Sequence, residues 1–309
     1  MAKLEQRRYN QNYTLANVNI IMDKEEHTMN FSKLKRIAFT SLLALGIISA
    51  GNDTGFAQSQ HLTIDGDHGK LDAVLQTPDG VKEYPLVIVM HGFTSSKDTP
   101  LIEALAKNLD KEGIATLCFD FNGHGKSEGR FQDMTVPNEI EDAKRVYEYA
   151  SKLPHVSSIS IVGHSQGGVV ASMTAGILGT QKVKALALMA PAAVLREDAI
   201  RGECQGTFYD LHNLPETIPI KKGLNMGKNY VLTAQTLPIY ETASQYQGPA
   251  FMIHGTGDTV VPYTYSLRYQ RIYFHGQLKL VDDEDHGFNH DIDGAAKAVA
   301  AFFRTQLKK

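Results

Sequence analysis

From His61 onward, short runs of apolar residues alternate along the chain with longer segments whose apolar residues recur at helical spacing. The first two runs, His61–Ile64 and Leu71–Gln76, flank a turn rich in glycine and aspartate and predict a hairpin. Six later runs predict buried strands: Leu86–Met90, Ala115–Phe119, Ser158–Val162, Ala185–Met189, Ala250–His254 and Gln277–Val281. Helices are predicted near 99–112, 137–151, 167–178, 262–273 and 292–307. This alternation indicates an α/β fold with a mostly parallel central sheet flanked by helices.

One interval breaks the alternation. From Pro191 to Pro249 there are 59 residues with three proline-containing turns and several tyrosines. A segment of that length is unusual as a plain connection within a compact domain. We therefore expect an inserted cap at about residues 192–247, between the sixth and seventh strands.

The amino-terminal segment has a different pattern. Residues 29–57 comprise a short basic stretch, sixteen residues without a charge, and then small residues. This layout is typical of a secretory signal peptide, and the uncharged run is short for a bilayer span of about 20 residues. We expect cleavage after Ala57. A buried helix over 37–50 and an uncleaved membrane anchor are the alternatives.

Residues 1–28 form a polar extension without clear periodicity, and their status is open. A signal peptide normally starts at its own basic region, so Met29 is an alternative start. Residues 58–309 then form one domain, secreted or at the cell surface if the 29–57 segment acts as a signal and cytoplasmic otherwise. A membrane is an expected partner only if the leader stays uncleaved.

The amino-acid composition and net charge mainly exclude classes of protein. The 309 residues have ordinary globular composition, and a net charge of -3 argues against a nucleic-acid partner. Seven basic and five acidic residues lie in the first 57, so residues 58–309 carry 24 basic against 29 acidic side chains, a net charge of -5. Two cysteines, Cys118 and Cys204, allow one disulfide at most, and we interpret both as small apolar side chains.

The motif with chemical content is Gly163-His164-Ser165-Gln166-Gly167, which has the pattern G-x-S-x-G. An apolar run leads into it, and small and apolar residues at helical spacing follow. In this context the serine lies on a tight strand-to-helix turn that exposes its hydroxyl. A glycine-rich turn without chemistry is the alternative interpretation.

A nucleophilic serine needs a base, and the base needs a carboxylate that orients it. The required order after the serine is acid and then histidine, which Asp258 and His286 satisfy. Each follows a predicted strand, at the sheet edge where Ser165 emerges. Taken singly, Asp258 is equally consistent with a helix N-cap and His286 with a solvated loop histidine. The ordered set favours a catalytic triad, with His290 as the rival base.

Acyl transfer also requires hydrogen-bond donors for the oxyanion. The backbone amide of Gln166, the residue after the nucleophile, is one candidate, and that of Phe93 in the loop after the third strand is the other. We interpret His91 as a structural histidine that braces this loop.

Two other patterns in the sequence do not indicate a function. Gly125-Lys126-Ser127 ends like a phosphate-binding loop, but the first glycine of that motif would fall on Asp120, so we interpret the segment as a turn. The histidines show no metal-ligand spacing. Neither a metal nor a cofactor is therefore expected.

Segments from about Leu71 to the end resemble the bacterial feruloyl (cinnamoyl) esterases of the α/β-hydrolase superfamily, namely HGFTSSKDTP, DFNGHGKSEGRF, NEIEDA, GHSQGGVVASMTAG, LPIYE and IHGTGDTVVP. The resemblance implies the α/β-hydrolase fold and a Ser-His-Asp esterase that cleaves hydroxycinnamate esters beneath a small cap. It supports the triad and the two oxyanion amides named above. It also implies that polar groups of the cap bind the phenolic hydroxyl of the acyl group, at Asp198, Gln205 and Tyr230.

We therefore expect a serine esterase that acts on a small-molecule ester through an acyl-enzyme. A general short-chain carboxylesterase is the nearest alternative, followed by a serine peptidase or acyltransferase with the same triad. The alternative in which the protein is not an enzyme is a binding module on a hydrolase scaffold. Whether the protein forms a homodimer is left open.

Overall fold

The structure is a computed structural model that describes residues 58–307. The polar extension (1–28) and the signal-peptide-like segment (29–57) lie outside the described residues. Among the helices of residues 58–307, none combines the length and the apolar character that crossing a membrane requires.

The described residues form twelve strands, eight α-helices and two short 3₁₀ helices at Phe131–Asp133 and Lys221–Gly223. The strands are β1 (Gln58–Asp65), β2 (Lys70–Thr77), β3 (Tyr84–Met90), β4 (Ala115–Phe119), β5 (Val156–His164), β6 (Leu186–Met189), β7 (Glu203–Cys204), β8 (Thr207–Phe208), β9 (Thr217–Pro219), β10 (Asn225–Gly227), β11 (Ala250–Gly255) and β12 (Gly276–Val281). The helices are α1 (Pro100–Lys111), α2 (Val136–Ala150), α3 (Gln166–Leu178), α4 (Val194–Arg201), α5 (Lys228–Gln235), α6 (Ile239–Ala243), α7 (Thr264–Ile272) and α8 (Ile292–Leu307).

Eight of the strands form one sheet in the order β1-β2-β4-β3-β5-β6-β11-β12. The strand β2 is antiparallel to both β1 and β4, whereas all other neighbours are parallel. The predicted hairpin is β1–β2, and the six later predicted strands are the remaining six strands of this sheet. The prediction of a mostly parallel central sheet is therefore confirmed. The prediction that Gln277–Val281 is buried is wrong, because β12 lies at the sheet edge and none of its residues is buried.

The sheet is covered by helices on both faces, because its central strands are apolar on both sides. In β3 the side chains of Leu86 and Ile88 belong to a core that also contains residues of α2 and α3. Val87 and Val89 point to the opposite face, where α1 and α8 pack. A strand buried on both faces shows a continuous apolar run rather than alternation, which is why β3 was recognisable.

A cap lies between β6 and β11, the sixth and seventh strands of the main sheet, as predicted. It contains α4, the β7–β8 hairpin, the β9–β10 pair, α5 and α6. The turn of the β7–β8 hairpin has positive φ at both central residues, Gln205 (49°) and Gly206 (83°), as a type I′ turn requires. Leu195 of α4 and Val231 of α5 join the same core as α2 and α3, so the cap packs against the sheet domain.

Candidate active site

Ser165 lies on the sharp turn between β5 and α3, with φ 57° and ψ −125°. Its amide donates to the Met189 carbonyl (2.9 Å), and its carbonyl accepts from the amides of Gly168 (2.9 Å) and Ala192 (3.0 Å). A Cβ at Gly163 would overlap the Gly167 carbonyl, and one at Gly167 would overlap the His91 carbonyl. Both glycines of the motif are therefore required, and the surroundings hold the strained serine in place.

Ser165, His286 and Asp258 form a continuous hydrogen-bonded chain. His286 Nε2 lies 2.8 Å from Ser165 Oγ, and His286 Nδ1 lies 2.7 Å from Asp258 Oδ2. The other oxygen of Asp258 accepts hydrogen bonds from the amides of Val260 and Val261, both at 2.8 Å. Asp258 thus stabilises its own turn while it also holds the histidine. It is not a helix N-cap, because α7 begins at Thr264 and Tyr263 occupies the N-cap position.

The electrostatic surroundings keep Asp258 ionised. Burial would raise its pKa, but the hydrogen bonds from His254 and His286 outweigh burial and hold the pKa well below its usual range. His254 Nε2 lies 3.0 Å from Asp258 Oδ2 and 2.9 Å from the Val261 carbonyl, so this nitrogen carries the proton. His254 Nδ1 then accepts from the Ser266 hydroxyl at 2.7 Å.

Two histidines that support the triad, His254 and His164, were not predicted from the sequence. His254 precedes Asp258 by four residues, and this H-x-x-x-D spacing was the only signal for it. His164 Nε2 donates to the backbone carbonyl of His286 at 2.8 Å and so holds the loop that carries this histidine. Burial lowers the pKa of His164 to about 3, so its ring is neutral near pH 7. The rival base His290 is exposed, and its Nδ1 lies 3.4 Å from Glu284 Oε1.

The loop after β3 approaches the serine closely. A Cβ at Gly92 would lie 2.8 Å from the Ser165 Cβ, so glycine is needed there. Phe93 follows, and it lines the same cavity as Ser165 and Gln166. Within residues 58–307, the backbone amides of Phe93 and Gln166 donate to no other group of the chain. They are therefore available as donors beside the serine hydroxyl.

His91 braces this loop, as interpreted from the sequence. Its Nδ1 donates to the Gly92 carbonyl (2.8 Å), and its Nε2 accepts from the Phe121 amide (3.1 Å). Burial lowers the pKa of His91 to about 4, so the ring stays neutral. The Gly125-Lys126-Ser127 segment folds around a carboxylate, since Asp120 Oδ2 accepts from the Lys126 amide at 2.9 Å. That segment is a turn, as expected.

A cavity of about 780 Å³ opens above Ser165 and His286, between the sheet edge and the cap. All three cap residues assigned to substrate binding line it: Asp198 on α4, Gln205 on the β7–β8 turn and Tyr230 on α5. Asp198 is partly buried, which raises its pKa, and it pairs with Arg201. Gln205 is exposed, whereas Tyr230 is buried and donates from its hydroxyl to Gln166 Oε1 at 2.7 Å.

Both cysteines are free thiols, so the single disulfide that the count allowed does not form. Cys118 is buried in the sheet, and Cys204 lines the cavity. In the part of the chain that the structure describes, no group of three or more histidine, cysteine or acidic side chains has the arrangement of a metal site.

Comparison with known proteins is consistent with this geometry. The family model described as serine aminopeptidase, S33, matches residues 82–212. Est1E from Butyrivibrio proteoclasticus, in a structure with ferulic acid bound, is 34% identical with a TM-score of 0.77, and the match covers 80% of this chain and 100% of that one. A second structure of Est1E is 32% identical with a TM-score of 0.74, over 81% of this chain and 99% of that one.

A curated relative is matched over a smaller region. An uncharacterized 31.7 kDa protein of Escherichia coli, from the traX-finO intergenic region, is 30% identical over 107 residues. These residues are 33% of this chain and 37% of that protein, so the chain spans little more than a third of this relative's length. The sheet order, the serine turn and the match to Est1E, which spans all of that chain at 34% identity, show that this chain belongs to the α/β-hydrolase superfamily.

Proposed function

We propose that the protein is a serine esterase that hydrolyses carboxylic esters through an acyl-enzyme, with Ser165, His286 and Asp258 as its catalytic triad. The observation that carries this proposal is the chain of contacts of 2.8 Å and 2.7 Å that links these three side chains, with Ser165 and His286 lining the cavity and Asp258 buried behind them. A serine so arranged has both a base for its proton and a carboxylate that fixes the tautomer of the base.

The reaction follows from these contacts. His286 Nε2 takes the proton of Ser165 as Oγ bonds to the ester carbonyl carbon, and the backbone amides of Phe93 and Gln166 donate to the oxyanion. The protonated His286 then gives its proton to the alkoxy oxygen, which leaves as the alcohol. A water molecule, deprotonated by His286, attacks the acyl-enzyme, and the carboxylic acid is released with Ser165 reprotonated.

The substrate class we propose is the hydroxycinnamate esters. Est1E, at 34% identity, has been solved with ferulic acid bound. In this chain the cavity carries a carboxyl, an amide and a phenol from the cap, at Asp198, Gln205 and Tyr230. These are groups that form hydrogen bonds with a phenolic hydroxyl. The cavity volume of about 780 Å³ lies within the usual range of about 300–1000 Å³ for small-molecule sites.

Two measurements test the proposal in order. A fluorophosphonate probe should label wild-type protein and fail to label Ser165→Ala; labelling of both variants or of neither would contradict the triad. Rates on methyl ferulate, chlorogenate and a butyrate ester are then compared, with a peptide p-nitroanilide as the amide control. A preference for the hydroxycinnamates is expected. Equal or faster butyrate turnover would indicate a general carboxylesterase, and a preference for the amide would indicate a peptidase.

A further inference from the structure

A buried chain of three polar side chains connects the sheet domain to the cap behind the serine turn. Glu139, in the first turn of α2, is 2% exposed, and its Oε2 accepts from Gln166 Nε2 at 2.8 Å. Tyr230, on the cap helix α5, is 5% exposed and donates to Gln166 Oε1 at 2.7 Å. Gln166 Nε2 also contacts Met134 Sδ at 3.6 Å, so both ends of the Gln166 amide are held.

Tyr230 contacts the side chains of both residues assigned to the oxyanion hole. Its hydroxyl binds the Gln166 side chain, and its ring packs against the Phe93 ring at a centroid distance of 5.4 Å. The Phe93 ring also packs against the Phe131 ring, at a centroid distance of 5.3 Å. One cap residue therefore contacts both residues whose backbone amides are assigned to the oxyanion hole.

We propose that Tyr230 and Glu139 are positioning residues for the oxyanion hole. Tyr230 makes the positions of the two backbone amides depend on how the cap packs, and Glu139 holds the Gln166 side chain from α2. The inference rests on the proposed function, because it takes Phe93 and Gln166 as the oxyanion donors. It gives Tyr230 a role that does not depend on the acyl group of the substrate.

The chemistry of the three groups supports this role. The single hydroxyl hydrogen of Tyr230 is used by Gln166, so toward the cavity the phenol oxygen can only accept. Burial raises the pKa of Glu139 to about 8, and this carboxyl is therefore mainly neutral at pH 7. A neutral carboxyl accepts the Gln166 hydrogen bond without placing an uncompensated charge beside the hole.

The experiment uses p-nitrophenyl acetate, whose acetyl group is too small to fill the cap. Turnover per active site, counted by titration with a fluorophosphonate, is compared in wild type, Tyr230→Phe and Glu139→Leu. We expect kcat to fall about 10-fold in both variants with KM changed less than about twofold, a smaller loss than the roughly 100- to 1000-fold that removal of a donor causes.

Two further variants distinguish positioning from general stability. Glu139→Gln keeps an oxygen that accepts from Gln166 Nε2 and should recover most of the kcat that Glu139→Leu loses. Tyr209→Phe is the matched control, because the Tyr209 hydroxyl donates within the cap to the Glu203 carbonyl at 3.1 Å and does not contact Gln166. It should retain the kcat of wild type.

Three results would overturn the inference. The first is a wild-type kcat per titrated site in Tyr230→Phe. Because this substitution removes only one oxygen, it tests the role of Tyr230 even if Glu139→Leu does not fold. The second is a Tyr230→Phe defect confined to the KM of hydroxycinnamates, which would make Tyr230 a substrate contact alone. The third is a wild-type protein that is neither labelled at Ser165 nor active, which would refute the proposed function itself.

Discussion

The buried carboxyl of Glu139 should make the stability of the protein fall as pH rises. Burial raises its pKa from 4.5 to about 8 in the folded protein. Between these values the folded state keeps a proton that the unfolded state has lost, so unfolding becomes easier with each pH unit. The slope approaches about 1.4 kcal/mol per pH unit, and the loss between pH 5 and pH 8 reaches up to about 4 kcal/mol.

Glu139→Gln removes this titration and keeps the shape of the side chain. The free energy of unfolding of both proteins is measured by urea titration from pH 5 to pH 8.5. We expect the value for the variant minus the value for wild type to increase steadily as the pH rises. The buried histidines His91, His124 and His164 have pKa values lowered to about 4, 3 and 3, so they contribute the opposite slope, below about pH 6.5. Both proteins share that contribution, and it cancels in the difference.

Asp142 provides the matched control for Glu139. It is buried one helical turn further along α2, and burial raises its pKa to about 6. Asp142→Asn should therefore change the pH slope of stability below about pH 6 and leave the slope between pH 7 and pH 8 as in wild type. Parallel curves for wild type and Glu139→Gln between pH 7 and pH 8 would refute a protonated Glu139.

Three further predictions concern the site itself. Ser165→Ala should lower kcat/KM for p-nitrophenyl acetate by at least about 10⁴-fold, and adding His286→Ala should cost almost nothing more; additive losses would contradict a triad. Gly92→Ala places a Cβ 2.8 Å from that of Ser165, so kcat at saturating substrate should fall about 100-fold, and wild-type turnover would argue against this close approach. His254→Leu removes one donor from Asp258, so kcat/KM per titrated site should fall about 10- to 100-fold; an unchanged value would exclude a role in the triad.

The local sequence pattern was most informative where a physical requirement is itself local. A strand buried on both faces needs an uninterrupted apolar run, which is why Ala115–Phe119 was predicted with its observed bounds. A serine held at φ 57° needs glycines at 163 and 167, which is why the motif identified its turn. The 59-residue interval without buried strands likewise indicated the cap, although its small strands were not predicted.

Contacts between distant positions had no comparable local signal. His164 meets the His286 carbonyl 122 residues further along the chain, because β5 and the loop after β12 end at the same sheet edge. Glu139 would ordinarily be assigned to the solvated first turn of an amphipathic helix. It faces inward because α2 packs against α3, where Gln166 begins the helix.

By itself, the sequence determined the fold class and the order of the groups Ser165, Asp258 and His286, because burial on both faces and the strand-to-helix turn restrict residue type at each position. Only the tertiary structure decided which distant groups meet. The order of the strands brings His286 within 2.8 Å of Ser165, and the packing of the cap places Tyr230 against Gln166. Such contacts depend on the arrangement of whole elements in space, which the spacing of residues along the chain does not encode.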